Sequence, residues 1–376
     1  AGGDQLALTA TGLLDASGGT DGAYGGDIYL EAANGVHIQN GARLDLSAGG
    51  GDGMGGTVHF RVPRTTANDG VRMTVDGGAI AGAAAVGVEG YRVYEANTVN
   101  AAAMGPWRTH ATDFMIHETA MRSSIRDRLA LGNASFHLLP GIEVRSSGNL
   151  TLTSALDLTA WDFGANDDPG VLTLRAADNL IVNGNLVDHP NAKGDLQAGM
   201  GPTSWRYNLV AGTDFGSADS MRTMRHMTDP TLGRIHIADR TLVYTETGPI
   251  RFASAADTII GEGANTDYVS AGYLRTNMTT FSGDIEGSVG GNLVLNGGVI
   301  QSSTGDIRIA VGEELMLAQN GSQVGSIRTL GQAPAAALYP TMPESYRLTR
   351  YWEYDRGGHI DAAVGGSVFS GMNAKA

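Results

Sequence analysis

The chain has 376 residues, of which 55 are glycine and none is cysteine, and its formal net charge is −14. The lack of cysteine excludes disulfides, thiol catalysis and cysteine-based metal sites. The negative charge argues against a nucleic-acid partner, because affinity for phosphate backbones rests on clustered lysine and arginine. Apolar residues make up 42% of the chain, enough to form a core, but no run of 18 apolar residues predicts a membrane-spanning helix.

The first elements are short strands that follow glycine-rich stretches. GGTDGAYGGDIYL leads into a strand at Ile28, and GGGDGMGGTVHF leads into a similar strand at Val58. A phosphate-binding loop needs a helix after its glycines, and a calcium-binding β-roll needs tandem nonapeptides. Neither pattern is present, so both stretches are predicted to be corner turns. The alternative is an incidental calcium site through Asp21, Asp27 or Asp52.

The strand pattern stops between residues 90 and 139. Within WRTHATDFMIHETAMRSSIRDRLAL, apolar residues recur at spacings of four, three, seven, four and four, which is typical of one face of a helix. These residues are Trp107, Ala111, Phe114, Met121, Ile125 and Leu129. The range 90–139 is therefore predicted to be a helical insertion packed on the outside of the strands. The alternative is a docking helix for another subunit.

Short strands with apolar residues at every second position return after residue 140. Ile285 and Ile307 occupy the same place in two successive G-D-I stretches, and Leu150 and Leu172 are separated by the same offset. Strands this short cannot form independent sheets, so we expect them to stack as coils of one solenoid. The predicted fold is all-β: a right-handed parallel β-helix with coils of about 22 residues, which spans 1–376 as a single segment.

Two further ranges interrupt the repeat and are predicted to be loop insertions. The first, 188–233, is rich in aromatic residues and methionine, and the second, 332–358, interleaves aromatic residues with arginines. Aromatic residues and arginine are favoured at interface hot spots, and aromatic rings also offer flat faces for stacking. The residues predicted to contact a partner are Tyr346, Arg350, Tyr351, Trp352 and Tyr354.

The sequence shows no pattern typical of a catalytic or metal site. The nine histidines do not form the i, i+4 pair of a helical zinc site, and no G-x-S-x-G elbow occurs. We therefore expect no metal, no cofactor and no enzymatic activity. One alternative stays open. Asp284 and Asp306 lie at equivalent positions of adjacent coils, where paired carboxyl groups could cleave a polysaccharide, although aspartate also serves such turns.

The rung STGDIRIAVGEELMLAQNGSQV resembles those of the filamentous haemagglutinin family, the large exoproteins of two-partner secretion. Members of that family typically repeat G-D-I-x-I-x-A-G-x-x-L-x-L, and the residues on this pattern are Gly305, Asp306, Ile307, Ile309, Leu315 and Leu317. FHLLPGIEVRSSGNLTLTSALDLTAWDFG and DPGVLTLRAADNLIVNGNLVD are similar to the central region of large haemagglutinin-type proteins of Gram-negative bacteria.

The resemblance implies a right-handed β-helix, export through an outer-membrane transporter and an extracellular, outer-membrane-associated place on the cell surface. It implies a non-enzymatic segment of a surface exoprotein, which acts as an adhesin or as a structural component of a surface filament. The expected partner is a glycan or protein receptor on a host or neighbouring cell, with self-association into filaments as the other option. The alternative function is a polysaccharide-binding or polysaccharide-cleaving β-helix protein.

Overall fold

The computed structural model describes residues 5–19, 23–50, 53–188, 204–225, 227, 229, 231–264, 277–321, 323–331 and 357–371. Within these ranges the chain forms strands, two α-helices and one short 3₁₀ helix at Arg126–Arg128. The helices are α1 (Ala101–Met115) and α2 (Glu118–Ile125). The strands are β1 (Leu6–Leu8), β2 (Leu13–Asp15), β3 (Ile28–Glu31), β4 (Val36–Ile38), β5 (Arg43–Asp45), β6 (Thr57–Pro63), β7 (Met73–Val75), β8 (Gly78–Ala81), β9 (Ala85–Glu95), β10 (Thr98–Val99), β11 (Leu129–Ala130), β12 (Ser135–Ser146), β13 (Leu150–Leu152), β14 (Leu156–Asp157), β15 (Val171–Ala176), β16 (Leu180–Val182), β17 (Leu186–Val187), β18 (Arg206–Ala211), β19 (Ile235–Asp239), β20 (Leu242–Thr245), β21 (Ile250–Ser254), β22 (Thr258–Ala264), β23 (Asn277–Thr280), β24 (Ile285–Val289), β25 (Leu293–Asn296), β26 (Val299–Ser302), β27 (Ile307–Val311), β28 (Leu315–Asn320), β29 (Gln323–Val324), β30 (Ser326–Thr329), β31 (Ile360–Val364) and β32 (Val368–Ser370).

Successive strands follow one another around three faces of a right-handed parallel β-helix, as the sequence predicts. Face 1 carries β1, β4 and β7, and then β10, β13, β16, β19, β22, β25, β28 and β32. Face 2 carries β2, β5, β8 and β11, and then β14, β17, β20, β23, β26 and β30. Face 3 is one unbroken ladder of parallel strands in the order β3, β6, β9, β12, β15, β18, β21, β24, β27 and β31. Face 3 is therefore continuous along the described coils, whereas the ladders of faces 1 and 2 are each divided into two sheets.

A single apolar column fills the space between the three faces. Alternate residues of each strand point to opposite sides of a sheet, and on β27 Ile307, Ile309 and Val311 are buried while the residues between them are exposed. Leu295 on β25 is fully buried in the same column. The predicted inward positions of Leu295 and Ile307 are therefore confirmed.

The length of a coil varies along the molecule. The register pairs Ile285 with Ile307, which confirms the predicted coil length at that point. Leu150 pairs with Leu180 and not with Leu172, so the predicted equivalence of Leu150 and Leu172 is wrong. Leu150 lies on face 1 and Leu172 on face 3. Apolar residues alternate with period two in the strands of every face. Two strands on different faces therefore have similar sequences and can be mistaken for the same strand of successive coils.

The predicted apolar helical face is divided between two helices, and its last predicted residue, Leu129, lies on strand β11 instead of a helix. The insertion leaves the coil between β10 and β11, and α1 begins after Asn100, whose side-chain oxygen accepts the backbone N–H of Ala103 at 2.9 Å. Phe114, Met121 and Ile125 are buried against the strands. The ladder of face 1 is interrupted between β7 and β10, where α2 packs on β7. Among the described residues, no helix is long and apolar enough to cross a membrane.

The loop ranges lie at the turns into and out of face 3. Strand β18 lies inside the range 188–233 and is a regular rung of face 3, so the chain leaves the coil on either side of it. The range 332–358 follows β30 and precedes β31. Its residues 332–356 lie outside the described residues. The same therefore holds for the predicted contact residues Tyr346, Arg350, Tyr351, Trp352 and Tyr354.

Candidate binding site on face 3

The outer side of face 3 carries a row of charged and aromatic side chains. They occupy the alternate positions of β3, β6, β9, β12 and β15 that point away from the apolar column: Tyr29, Glu31, His59, Arg61, Glu89, Tyr91, Glu143, Arg145 and Arg175. Several are nevertheless buried, with 2% of Arg61 and none of Glu143 exposed to solvent. Other parts of the molecule must therefore cover this surface. Charged residues are rarely fully buried unless they are paired, so we also expect these side chains to form ion pairs.

Curvature of face 3 provides part of the cover. The guanidinium carbon of Arg251 on β21 lies 4.6 Å from the ring centre of Tyr29 on β3. These strands are six positions apart in the ladder, and strands spaced by about 4.8 Å would put them roughly 29 Å apart in a flat sheet. The contact between their side chains therefore requires the outer side of face 3 to be concave.

A loop that follows β18 provides the rest of the cover, and we call residues 213–222 the strap. The carboxylate of Glu31 accepts the backbone N–H of Ser220 at 2.6 Å and its hydroxyl at 3.1 Å. At the other end of the strap, the carbonyl oxygen of Asp214 accepts Nη2 of Arg175 at 3.2 Å. The strap therefore joins the strand at the start of face 3 to a strand near its middle.

Side-chain turns give the strap its local shape. Oδ1 of Asp214 accepts the backbone N–H of Gly216 at 3.0 Å, and Oδ1 of Asp219 accepts that of Met221 at 2.9 Å. Aspartate favours such turns because its short side chain reaches the backbone two residues further on. The first turn places the ring of Phe215 within 5.1 Å of the guanidinium carbon of Arg175.

Beneath the strap, arginines and glutamates form a buried network. Glu143 accepts hydrogen bonds from Arg61, from Nε of Arg145 at 2.6 Å and from Nη1 of Arg175 at 3.0 Å. Burial by itself raises the pKa of Glu143, but the adjacent Arg61, Arg175 and Arg145 outweigh it and lower this pKa to about 2. Glu89 accepts Nε of Arg61 at 3.1 Å. The network therefore holds ionised carboxylates in a buried place.

A cavity of about 300 Å³ opens beside this network. Four arginines and two aromatic residues contribute to its wall, together with small residues of the strap, and none of its described lining residues is acidic. The four arginines and two aromatic residues are Arg61, Arg72, Arg145, Arg175, Tyr91 and Phe215.

Part of the cationic wall has no partner. Arg72 is exposed and its side chain makes no hydrogen bond or ion pair within the described part of the chain, while the guanidinium of Arg145 bonds Glu143 through Nε alone. Nε of Arg175 is buried without a hydrogen-bond partner. None of the described residues that line the cavity is acidic, although the net charge of the chain is −14. The cavity therefore suits an anion.

A second groove, of about 360 Å³, lies further along face 3. Its cations are paired: Nε of Arg251 lies 3.0 Å from Glu286, and Nη2 of Arg308 lies 2.6 Å from Asp306. Its wall also contains Asp361. This groove offers less unpaired positive charge than the cavity beneath the strap.

The candidate carboxylate pair lies on adjacent coils, as its spacing predicts, but both side chains serve the corner. Oδ1 of Asp284 accepts the backbone N–H of Asp306 at 2.8 Å, and Oδ1 of Asp306 accepts that of His359 at 2.8 Å. Arg308 lies 3.4 Å from the second oxygen of Asp284. Each corner aspartate thus binds the next coil, an arrangement that accounts for the repeated G-D-I stretch without catalysis.

An aspartate of the first glycine-rich stretch also binds the backbone of the next coil. Oδ1 of Asp27 accepts the backbone N–H of Thr57 at 3.0 Å and its hydroxyl at 2.6 Å. Asp27 therefore acts as a corner residue between coils. Asp21 and Asp52 lie outside the described residues.

The arginine network is not among the features predicted from the sequence. A signal was present, because VHFRV and IEVRS place charged residues at alternate positions within long apolar strands. Which charges meet depends on the register between coils, and Arg61 and Glu143 are 82 residues apart in the chain. Their pairing could not be derived from a single assumed coil length.

Comparison with known proteins finds no relative of this chain. No family model matches it, and neither a curated protein nor a solved structure does.

Proposed function

We propose that this chain is a binding segment of a haemagglutinin-like adhesin, a secreted surface exoprotein of Gram-negative bacteria, and that the cavity beneath the strap holds an acidic saccharide. The observation that carries the proposal is a wall of four arginines, in which Arg72 and part of the Arg145 and Arg175 guanidinium groups have no partner among the described residues, beside two aromatic rings in an otherwise acidic chain. The β-helix and its G-D-I rungs support the link to the exoproteins. The partner would be a glycan on a host or neighbouring cell.

The charge of the cavity favours a carboxylate or a sulfate group. The planar guanidinium of arginine matches both oxygens of such a group, and the resulting bonds are stronger than those between neutral partners. Arg145 is held by Glu143, so its free Nη atoms are already placed toward the cavity wall and lose little entropy on binding.

The shape and the rings of the cavity favour a sugar as the carrier of that anion. Tyr91 and Phe215 are held by arginines, since the guanidinium carbon of Arg61 lies 3.9 Å from the centre of the Tyr91 ring. Rings fixed in this way offer apolar faces to the C–H groups of a sugar. The volume is at the lower end of the range for ligand pockets, which is about 300 to 1,000 Å³. One or two sugar residues of a longer chain fit such a space better than a whole macromolecule.

The proposal is tested by titration calorimetry with three oligosaccharides: one with uronic acids, one with sulfates and one neutral. We expect the acidic ligands alone to bind, and we expect the double variant R72A/R145A to weaken their binding at least tenfold. Arg43, an exposed arginine of β5 outside the cavity, provides the control as R43A, which should bind normally. Equal affinity for the neutral ligand, or unchanged affinity of the double variant, would contradict the proposal.

The second candidate function is a structural component of a filament. The exposed strand edges of the last described coil favour it. Among the described strands, none pairs with the outer edges of β31 and β32. Ile360 and Val368 on these strands are 46% and 58% exposed. Unpaired strand edges are templates for pairing with another chain. Electron microscopy of the purified chain should then show rods joined end to end, and V368K should shorten them, whereas single particles at all concentrations would contradict this role.

A further inference from the structure

A serine, a histidine and an aspartate meet at the start of β12. Nδ1 of His137 lies 3.1 Å from Oδ1 of Asp168, and Nε2 of the same ring lies 3.2 Å from Oγ of Ser135. A hydroxyl, an imidazole and a carboxylate joined in this order are the constellation of nucleophilic acyl transfer, which is recognised by geometry and not by fold. We infer that Ser135, His137 and Asp168 form a reactive site for small esters.

The fold explains why the three residues meet. Ser135 and His137 are two positions apart on one strand, so their side chains point to the same side of face 3. Strand β15 joins β12 only from Gly141 onward. Asp168 lies in the turn before β15, where its backbone pairs with that of Phe163. Its side chain contacts the first residues of β12, which β15 leaves unpaired.

The hydrogen bonds assign the proton positions. Oδ2 of Asp168 accepts Nη2 of Arg122 at 3.0 Å, so this carboxylate is an ion-paired acceptor. Nδ1 of His137 then donates its proton to Asp168, and in the tautomer that carries only this N–H, Nε2 is an acceptor for the hydroxyl of Ser135. Oγ of Ser135 also lies 3.3 Å from the carbonyl oxygen of Ala84, which is a second acceptor within reach of the same hydroxyl proton.

Solvent exposure decreases from the serine through the histidine to the aspartate. Ser135 is exposed, the side chain of His137 is 31% exposed, and Asp168 is buried. A substrate can therefore reach the hydroxyl while the carboxylate that orients the ring stays fixed. His59 and Glu89 form another histidine–carboxylate pair, but the second ring nitrogen of His59 faces Arg206 at 3.3 Å instead of a hydroxyl.

The reaction needs only an ester and water. Oγ of Ser135 bonds to the acyl carbon, the ester C–O bond breaks, and the hydroxyl proton passes to Nε2 of His137 and then to the leaving alkoxide. A water molecule next attacks the acyl-serine, again with His137 as the base, and releases the carboxylic acid and the free hydroxyl. The substrate class is a small acyl ester presented at the surface, such as an O-acetyl group. This inference is independent of the proposed function and departs from the expectation that the chain has no enzymatic activity.

The test uses a fluorophosphonate probe, which bonds to activated serines, with peptide mass spectrometry to locate the label. We expect one label per chain, on Ser135. S135A should lose it, and H137Q should label at least tenfold more slowly, because general-base assistance contributes roughly 10² to 10⁴ in rate. The matched control is H110Q, which removes a histidine that contacts Tyr94 and no serine, and which should label like the wild type. Hydrolysis of p-nitrophenyl acetate by the same variants provides a second readout.

Two results would overturn the inference: a wild-type chain without label on Ser135, or an H137Q variant that labels at the wild-type rate. D168N is expected to slow labelling too, but this change removes one of the two carboxylate partners of Arg122 and can unfold the turn. His137 is partly exposed, so H137Q decides the question if D168N does not fold. Far-ultraviolet circular dichroism checks the fold of each variant.

Discussion

Nη1 of Arg206 lies 3.3 Å from Nδ1 of His59, although their strands are four positions apart in one sheet. In a flat sheet those strands would be roughly 19 Å apart. Burial lowers the pKa of His59, so its ring is neutral and can accept from Arg206 at Nδ1 while Nε2 donates to Glu89. The neutral ring thus joins coils that are distant along the rod.

The curvature of face 3 predicts a short distance between β3 and β21. The chain has no cysteine, so Y29C and R251C allow two spin labels to be attached without further changes. We expect the measured label distance to fall well below the roughly 29 Å of a flat sheet. The control pair T98C and M316C lies on β10 and β28, also six strands apart but on face 1, and should give at least the flat-sheet distance. Equal distances for both pairs would contradict a concave face 3.

Removal of Arg61 should strongly destabilise the fold. R61A leaves Glu89 and Glu143 buried without their shared cation, and breaking a buried ion pair on one side costs about 3 to 5 kcal/mol. Urea unfolding measures the change. The control R126A removes an exposed arginine that lies 4.0 Å from Asp127, and it should leave the midpoint nearly unchanged. Similar midpoints for the two variants would mean that the network does not support the fold.

The low pKa of Glu143 predicts a loss of stability in acid. Its pKa in the folded chain is about 2, below the ordinary value of 4.5, because the surrounding arginines outweigh the effect of burial. The unfolded state therefore binds a proton first as pH falls, so this contribution is complete above pH 4.5 and is lost as pH decreases toward 2. E143Q should flatten the dependence of the unfolding free energy on pH in this window. An unchanged slope in denaturant titrations would contradict the assignment.

A charge placed in the apolar column should be far more harmful than one on the same strand outside it. Leu295 is fully buried, whereas Val294 beside it on β25 is only partly buried. L295D puts an unpaired carboxylate into the column and should cost several kcal/mol. V294D is the matched control and should unfold near the wild-type denaturant midpoint. A reversed order of the two midpoints would show that the inward register is wrong.

The corner role of Asp306 predicts a difference between two substitutions. D306A removes the acceptor for the backbone N–H of His359 and should cost about 1 kcal/mol. D306N keeps a side-chain oxygen in place and should lose less. Thermal unfolding separates the two variants. If instead wild-type protein released sugars from acidic polysaccharides and D306N stopped that release, the corner role would be incomplete and the cleaving alternative would stand.

Local patterns explain what could be predicted from particular residues. Alternation with period two predicts that Leu295 and Ile307 point inward, and they are buried. Helical spacing predicts that Phe114 and Met121 share a buried face, and both are buried on the two helices. The stretch GGTDGAYGGDIYL is predicted to be a corner turn, and Asp27 within it binds the backbone of the next coil. The equivalence of Leu150 and Leu172 was wrong, since period two is the same on all three faces and does not identify the face.

The sequence by itself determined the parallel β-helix, the inward residues, the corner aspartates and the helical insertion. These features depend on the side-chain geometry of single strands, turns and helices, which short stretches of sequence encode. Only the tertiary structure decided the length of each coil and the concave shape of face 3. Register and curvature arise from pairing between coils whose loops differ in length, and they bring together residues as distant as His59 and Arg206, 147 positions apart. The arginine cavity and the Ser135 site both exist because that pairing places outward side chains beside partners from other coils.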